Sequence, residues 1–154
     1  LAASGKVHDT LLAALLAEAY FALPPPKSTG RDLFHLDWLA RQLPAGVPPV
    51  DVQATLAELT ARTCAQDVRR HEPQLGELVV CGGGAFNDHL MRRLAALLPG
   101  TRVVSSTERG LPPLQVEAAA FAWLASKTLA GEKLPLESTT GARGARVLGC
   151  IYPA

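Results

Sequence analysis

An apolar run that ends in three consecutive glycines constrains the fold of this chain more than any other feature. The apolar run predicts a strand over residues 77–81, bounded by glycine on both sides. Gly82, Gly83 and Gly84 follow, and apolar side chains then recur at helical spacing over residues 86–98. The segment is therefore expected to form a strand, a tight turn and a helix.

The same alternation continues with a second predicted strand over residues 102–106 and a second helix over residues 112–129. This order indicates an α/β fold in which two parallel strands are joined by a right-handed crossover. The second helix is apolar on nearly every side, so we expect it to be largely buried.

The other predicted elements follow from helical periodicity and from the positions of the prolines. They are helices over 7–21 and 50–70, one or two helical turns over 32–43, loops over 24–30 and 44–49, and a last strand over 146–152.

Composition and charge argue against several classes of protein. The chain is 48% hydrophobic and 19% charged, which is typical of a globular domain. The formal net charge is +1 and the 15 basic residues are scattered, whereas nucleic-acid-binding proteins concentrate theirs. No apolar run reaches the ~18 residues of a membrane span, and no signal peptide is recognised. We therefore expect neither nucleic acid nor a membrane as a partner.

The cysteines and the first residue indicate the setting of the chain. Cys64, Cys81 and Cys150 are odd in number and form no CxxC pair, which predicts three buried thiols in a reducing cytosol. The chain begins at Leu1 rather than at a methionine, so we expect it to be part of a longer protein.

Glycines between a strand and a helix often bind an anion or a nucleotide, because they let a ligand approach the backbone. A P-loop is not indicated, since no Gly-Lys-Ser/Thr follows. A dinucleotide site is indicated only weakly, because Asn87 replaces the third glycine and the second strand ends in Ser105-Ser106 instead of an acidic residue. A ligand-binding turn and a purely structural turn both remain open.

Glu117 is a carboxylate in an otherwise apolar helix. It is either an exposed acid favoured by the helix dipole or a hydrogen-bond acceptor that faces a ligand. The four histidines show no metal-ligand spacing, so no metal site is predicted from protein ligands.

Several motifs in the same order resemble the anhydro-N-acetylmuramic acid kinase family. Each motif alone is weak, but together they extend over the whole chain. They are Pro-Pro-Lys-Ser-Thr-Gly-Arg-Asp-Leu-Phe at 25–34, Asp-Val-Gln-Ala-Thr-Leu at 51–56 with Leu-Thr-Ala at 59–61, Cys-Gly-Gly-Gly-Ala at 81–85 with Asn87 and Leu90-Met91, Val-Glu-Ala at 116–118 with Ala-Phe-Ala-Trp-Leu-Ala at 120–125, and Thr-Gly-Ala at 140–142 with the Gly-x-Ile-Tyr-Pro ending at 149–153.

The resemblance implies a fold and an activity. Such kinases are actin-like ATPases with two ribonuclease-H-like lobes, and this chain resembles the C-terminal half, as a single partial lobe over residues 1–154. The family uses ATP and Mg²⁺ to hydrolyse and phosphorylate 1,6-anhydro-N-acetylmuramic acid, which yields N-acetylmuramic acid 6-phosphate for peptidoglycan recycling in the bacterial cytoplasm. We also expect a homodimer.

The resemblance also assigns residues. Gly82, Gly83, Gly84 and Asn87 match a loop on the adenosine side of the nucleotide cleft, and Glu117 matches a glutamate that faces the sugar. Lys27, Ser28 and Thr29 match a family motif without an assigned role. Leu114 and Gln115 depart from the family pattern, since Asp is usual at the position of Leu114.

The catalytic aspartate and the phosphate loops are expected upstream of Leu1, so we predict that this segment alone is inactive. Two other functions remain open, a chaperone-like ATPase of the same superfamily and a non-catalytic dimerisation module.

Overall fold

The computed structural model describes residues 1–152, in which helices occupy the first part of the chain and two strands alternate with helices from residue 77 onward. The α-helices are α1 (Asp9–Leu16), α2 (Leu36–Ala40), α3 (Pro49–His71), α4 (Asp88–Leu97), α5 (Val116–Leu129) and α6 (Glu137–Thr140). The strands are β1 (Glu77–Val80) and β2 (Arg102–Ser105). Short 3₁₀ helices cover Ala2–Ser4, Ala19–Ala22, Gly83–Phe86, Ser106–Arg109 and Pro113–Gln115.

The two strands form a parallel sheet, as the sequence pattern predicts. Glu77 pairs with Arg102 at one end, and Val80 pairs with Ser105 at the other. The connection between the strands runs through α4, which packs against both α3 and β2. The α/β fold class with a short parallel sheet and flanking helices is thus confirmed.

The largest buried cluster lies away from the sheet, between α1, α2 and α3. Leu11, Leu12 and Leu15 of α1 pack with Trp38 of α2 and with Leu59 of α3. The spacing of the α1 leucines places them on one helix face, as helical periodicity requires. This cluster fixes α1 and α2 against the long helix α3.

Two predicted elements differ from the structure. The helix expected over 7–21 ends at Leu16, and a separate 3₁₀ turn over Ala19–Ala22 follows, because the Glu18 side chain accepts a hydrogen bond from the Tyr20 N–H and caps a new start. The strand expected over 146–152 does not form, since the only pairing recorded there is an isolated antiparallel bridge between Arg146 and Leu134. Pro153, the last residue of the family-like ending, lies outside the described residues.

The prediction that helix 112–129 is buried is wrong. No residue of α5 is buried, and the exposed fractions of Phe121 and Trp123 are 63% and 48%. The physical reason is that, within the described residues, α5 contacts chiefly the turn that precedes it and the segment around Leu148. Its apolar side chains therefore have few neighbours to pack against.

The prediction of three buried thiols is also wrong, because all three cysteines are exposed and unpaired in the described residues. Cys81 leaves the sheet at the start of the glycine turn, and Cys150 lies in the irregular segment beside α5.

Candidate functional site

The carboxyl ends of β1 and β2 meet at one edge of the sheet, where parallel α/β sheets commonly bind ligands. Val80 and Ser105 are the last paired residues. The glycine turn leaves β1 at this edge, and the 3₁₀ turn Ser106–Arg109 leaves β2 at the same edge. We call this region the carboxyl edge.

The glycine turn is tied to the start of α5 by a backbone hydrogen bond. The Gly82 N–H donates to the carbonyl oxygen of Pro113 at 3.0 Å. Gly82 has φ 70° and ψ −171°, a conformation that is almost restricted to glycine. The backbone conformation therefore requires glycine at least at the first of the three positions. This agrees with the interpretation of the glycines as a structural turn.

Gly83 and Gly84 are placed differently. A Cβ atom added at Gly83 would meet nothing within 4 Å, so the space above this residue is open. A Cβ atom at Gly84 would lie 3.5 Å from a methyl group of Leu90, which is ordinary contact. Within residues 1–152 neither backbone N–H has a hydrogen-bond partner, so two donors at the carboxyl edge are available.

Asn87 caps helix α4. Its Oδ1 accepts a hydrogen bond from the Leu90 N–H at 3.1 Å, which satisfies one of the free donors at the helix start. The side-chain amide nitrogen of Asn87 has no partner among the described residues. Asn87 thus has a structural role in the glycine turn and retains two donors.

Glu117 lies in the first turn of α5 and is exposed. Its carboxylate makes no ion pair or hydrogen bond with any residue that the structure describes. The bond from Gly82 to Pro113 brings this helix start to the carboxyl edge, so two sequence-predicted segments that are more than 30 residues apart meet there. Leu114, between Pro113 and α5, is 69% exposed, where the family pattern has an aspartate.

Lys27, in the proline-rich motif, packs against α3 rather than joining the glycine turn and the start of α5. Its Nζ lies 3.0 Å from Oδ2 of Asp67 and 5.3 Å from the ring centroid of Tyr20. The side chain is 13% exposed. Ser28 is exposed and Thr29 is half-buried. The structure therefore gives Lys27 the role of anchoring the loop at 24–30.

Two polar features were missed by the sequence reasoning. Ser106 is buried directly after β2, and its Oγ has no hydrogen-bond partner within the described residues. Glu58 of α3 is 3% exposed and is bound by Arg93 of α4 and by Arg62. Only the spacing of Glu58 and Arg62, four residues apart on one helix, could have indicated part of this cluster.

The Glu58 cluster lies beside a polar cavity of about 330 Å³ that His89 and Asp9 also line. Hydrogen bonds from Arg93 lower the pKa of Glu58 below its usual value, and burial opposes them. The same bonds raise the pKa of Arg93. The cluster joins α3 to α4, and its two guanidinium groups on one carboxylate give it a formal charge of +1.

A second ion-pair cluster stiffens the sheet near its other end. Arg109 Nε lies 2.7 Å from Oε1 of Glu77, and Arg102 bridges Glu77 and Glu108. Hydrogen bonds from Arg109 lower the pKa of Glu77. Among residues 1–152, no group of three or more His, Cys, Asp or Glu side chains could hold a metal ion.

These features define a class of protein: an α/β segment with a candidate ligand-binding edge, built from a glycine turn and a helix start. The sequence profile of the anhydro-N-acetylmuramic acid kinase family matches residues 1–154. The chain belongs to this family.

Relatives that bear the family name support the assignment. The anhydro-N-acetylmuramic acid kinase of Albidiferax ferrireducens is 63% identical over 155 residues, which are 99% of this chain and 40% of the relative. The corresponding proteins of Variovorax paradoxus and Xylella fastidiosa are 63% and 55% identical, with 41% and 40% of their length matched.

The chain therefore spans about two fifths of the length of these relatives, not the half that the resemblance implied. The comparisons do not support its assignment to the C-terminal lobe, which stays a prediction. Among the described residues, no helix is long and apolar enough to cross a membrane.

Proposed function

We propose that the chain is part of an ATP-dependent kinase that acts on 1,6-anhydro-N-acetylmuramic acid. Family membership supports the kinase class, and the names of the relatives support the substrate. The observation that carries the proposal is the 3.0 Å hydrogen bond from Gly82 to Pro113, because it joins the glycine turn to the helix that bears Glu117. One edge of the sheet can then contact both substrates.

The glycine turn would contact the nucleotide. The open space above Gly83 leaves room for a flat or extended group close to the backbone, and the free N–H groups of Gly83 and Gly84 can donate to it. The amide of Asn87 adds donors on the same side. Such preorganised donors act by orienting a substrate rather than by chemistry of their own.

Glu117 would contact the sugar. An unpaired, exposed carboxylate in the first turn of α5 can accept hydrogen bonds from sugar hydroxyl or amide groups. Leu114, which replaces an aspartate of the family pattern, cannot add a polar contact. We therefore assign sugar contact at this helix start to Glu117.

The reaction itself needs groups from outside this segment. ATP supplies the phosphoryl group, and the family reaction adds water across the anhydro bond and phosphorylates the 6-oxygen of the sugar. Mg²⁺ would enter bound to ATP, since the described residues contain no group of three or more His, Cys, Asp or Glu side chains that could hold the metal by themselves. What this chain contributes is binding, orientation and exclusion of water at one wall of the cleft.

Substitution at Gly83 in the parent enzyme tests the nucleotide assignment. Gly83→Val fills the open space, so ATP affinity measured by calorimetry should fall while the affinity for the sugar is kept. Gly76→Val is the matched control, because a Cβ there also meets nothing within 4 Å but lies at the other end of β1. Equal ATP affinity in both variants would refute the assignment.

Substitution at Glu117 tests the sugar assignment. Glu117→Gln should reduce sugar turnover while ATP affinity stays near that of the parent enzyme. Glu72→Gln, at another exposed glutamate, is the control and should leave both unchanged. If Glu117→Gln instead loses ATP affinity and keeps its affinity for the sugar, the assignment of Glu117 to the sugar is wrong.

Three further expectations belong to this proposal. The 154-residue segment alone should show no turnover with ATP and the anhydro sugar, and measurable turnover would contradict this.

A glycine-rich phosphate loop encoded before Leu1 would support the C-terminal position, and one encoded after residue 154 would refute it. The parent enzyme is expected to be a homodimer that serves peptidoglycan recycling in the bacterial cytoplasm, and light scattering tests its oligomeric state.

A further inference from the structure

Helix α5 presents several large apolar side chains to solvent. Between Glu117 and Lys127 it carries no charged side chain, and Phe121, Trp123 and Leu129 are 63%, 48% and 76% exposed. Contiguous apolar surface of this kind is rare on a free-standing domain and marks a site that packs against something else.

The apolar surface continues into a groove. A cavity of about 480 Å³ lies between α5 and the segment around Leu148, lined by Phe121, Leu124, Leu129, Leu148 and Ile151. Thr128 donates its hydroxyl to the Leu148 carbonyl oxygen, which holds the segment along the helix. We call α5 together with this groove the α5 surface.

The occupant of the α5 surface should be apolar as well. Glu117 lies in the first turn of α5, outside the groove lining, and Lys127 near the other end is already paired with Glu132 at 2.7 Å and lies 5.6 Å from the ring centroid of Trp123. No free charge lies along the middle of the helix to attract an acidic or basic peptide. Burial of apolar area would therefore supply the binding free energy.

The sheet gives independent evidence of missing neighbours. Parallel sheets are normally covered on both faces, and two strands alone are marginal in water. Here the parallel sheet has two strands in the described residues, and Val79 at its centre is 41% exposed. Both the sheet and α5 thus lack packing partners that a complete domain would supply.

The comparisons identify where such partners can come from. The matched 155 residues are 40% of the Albidiferax ferrireducens relative, so about 230 of its residues lie outside the match. We infer that the α5 surface packs against this remaining part of the parent kinase, within one polypeptide, and not against a second copy. The inference rests on family membership and length, and it holds whether or not the proposed substrate contacts are correct.

Footprinting of the intact parent enzyme tests the inference. Hydroxyl radicals modify side chains according to their exposure, and mass spectrometry resolves the rate for each residue. Trp38, which is 6% exposed, is an internal standard for a buried indole in the same chain. At a concentration where the parent is monomeric, Trp123 should be modified as slowly as Trp38. Modification of Trp123 several times faster than Trp38 would overturn the inference.

Footprinting repeated at several protein concentrations distinguishes packing within one chain from packing against a second copy. Protection of Trp123 that is unchanged on dilution supports packing within one chain. Protection that appears only where light scattering shows a dimer would assign the α5 surface to the dimer interface and overturn the inference.

A variant gives a second readout. In the parent, Phe121→Ser should lower the urea midpoint of unfolding clearly, because it places a hydroxyl in a packed apolar contact. Leu36→Ser on α2, where the side chain is 82% exposed, is the comparison and should lower it less. If Phe121→Ser fails to fold, footprinting of the unsubstituted parent still decides. No readout uses kinase activity, so failure here is distinct from failure of the proposed function.

Discussion

Arg93 binds Glu58 through two hydrogen bonds although the residues are 35 positions apart. Arg93 Nε lies 2.7 Å from Glu58 Oε2, and Nη2 lies 2.9 Å from Oε1. Glu58 is 3% exposed, so its charge depends on this partner and on Arg62. The pair joins α3, which belongs to the helical core, to α4, which leads from the glycine turn into the crossover.

Removal of Arg93 should destabilise the fold. Arg93→Met leaves the buried Glu58 carboxylate with one partner, and we expect the free energy of unfolding to fall by about 3 kcal/mol. Urea unfolding followed by circular dichroism measures this. Arg62→Met is the matched control, because Arg62 is more exposed and pairs within one helix, so its loss should cost about 1 kcal/mol or less. Equal losses would show that the bidentate geometry has no special weight.

The same pair predicts a pH dependence of stability. Arg93 lowers the pKa of Glu58 below the ordinary value of 4.5, so the unfolded chain takes up that proton more readily than the folded one. The stabilisation is therefore complete above pH 4.5 and declines as the pH falls toward the folded pKa.

Urea midpoints measured at about pH 7 and about pH 3.5 check this linkage. Wild type should lose more stability between the two conditions than Glu58→Gln, which lacks the titrating group. Equal losses in the two proteins would show that other carboxylates, such as Glu77, account for the acid sensitivity.

The glycines of the turn should separate into a structural and a permissive position. Gly82→Ala forces a side chain into φ 70°, ψ −171°, and we expect a loss of about 1–3 kcal/mol in the free energy of unfolding. Gly83→Ala places its Cβ in open space and should change stability by no more than about 0.5 kcal/mol. Thermal unfolding of the two variants in parallel is the measurement, and the reverse order would contradict this division.

Lys27 should matter for loop order rather than for chemistry. Lys27→Met removes the ion pair with Asp67 and the contact with the Tyr20 ring, with an expected loss of about 1 kcal/mol in stability. Limited proteolysis should cleave the loop at 24–30 faster in this variant. Ser28→Ala, at the exposed neighbour, is the control and should be cleaved at the wild-type rate. Unchanged cleavage of Lys27→Met would refute the anchoring role.

The elements that were predicted well are those whose pattern is local. The long helix expected over 50–70 is α3, and the strands expected over 77–81 and 102–106 differ from β1 and β2 by one residue. Periodicity and glycine boundaries decide such elements within a few neighbouring residues. The helix expected over 7–21 was too long, because the Glu18 cap that restarts the chain has no periodic signal.

The candidate site was predicted in its parts but not in its assembly. The sequence singled out Gly82 and Glu117 separately, and their residue types indicated possible ligand contacts. The bond from Gly82 to Pro113 and the unpartnered hydroxyl of Ser106 depend on how the strands align, and no local pattern reports that alignment.

The amino-acid sequence by itself determined the order of helices and strands, the glycine turn and the family. Only the tertiary structure decided that Glu58 is bound by Arg93, that Lys27 anchors a loop, and that α5 is exposed. Local structure depends on short-range backbone preferences and periodicity, whereas burial and ion pairing depend on which distant segments are present to pack. An apolar helix looks the same in sequence whether its partner is in the segment or elsewhere in the parent protein.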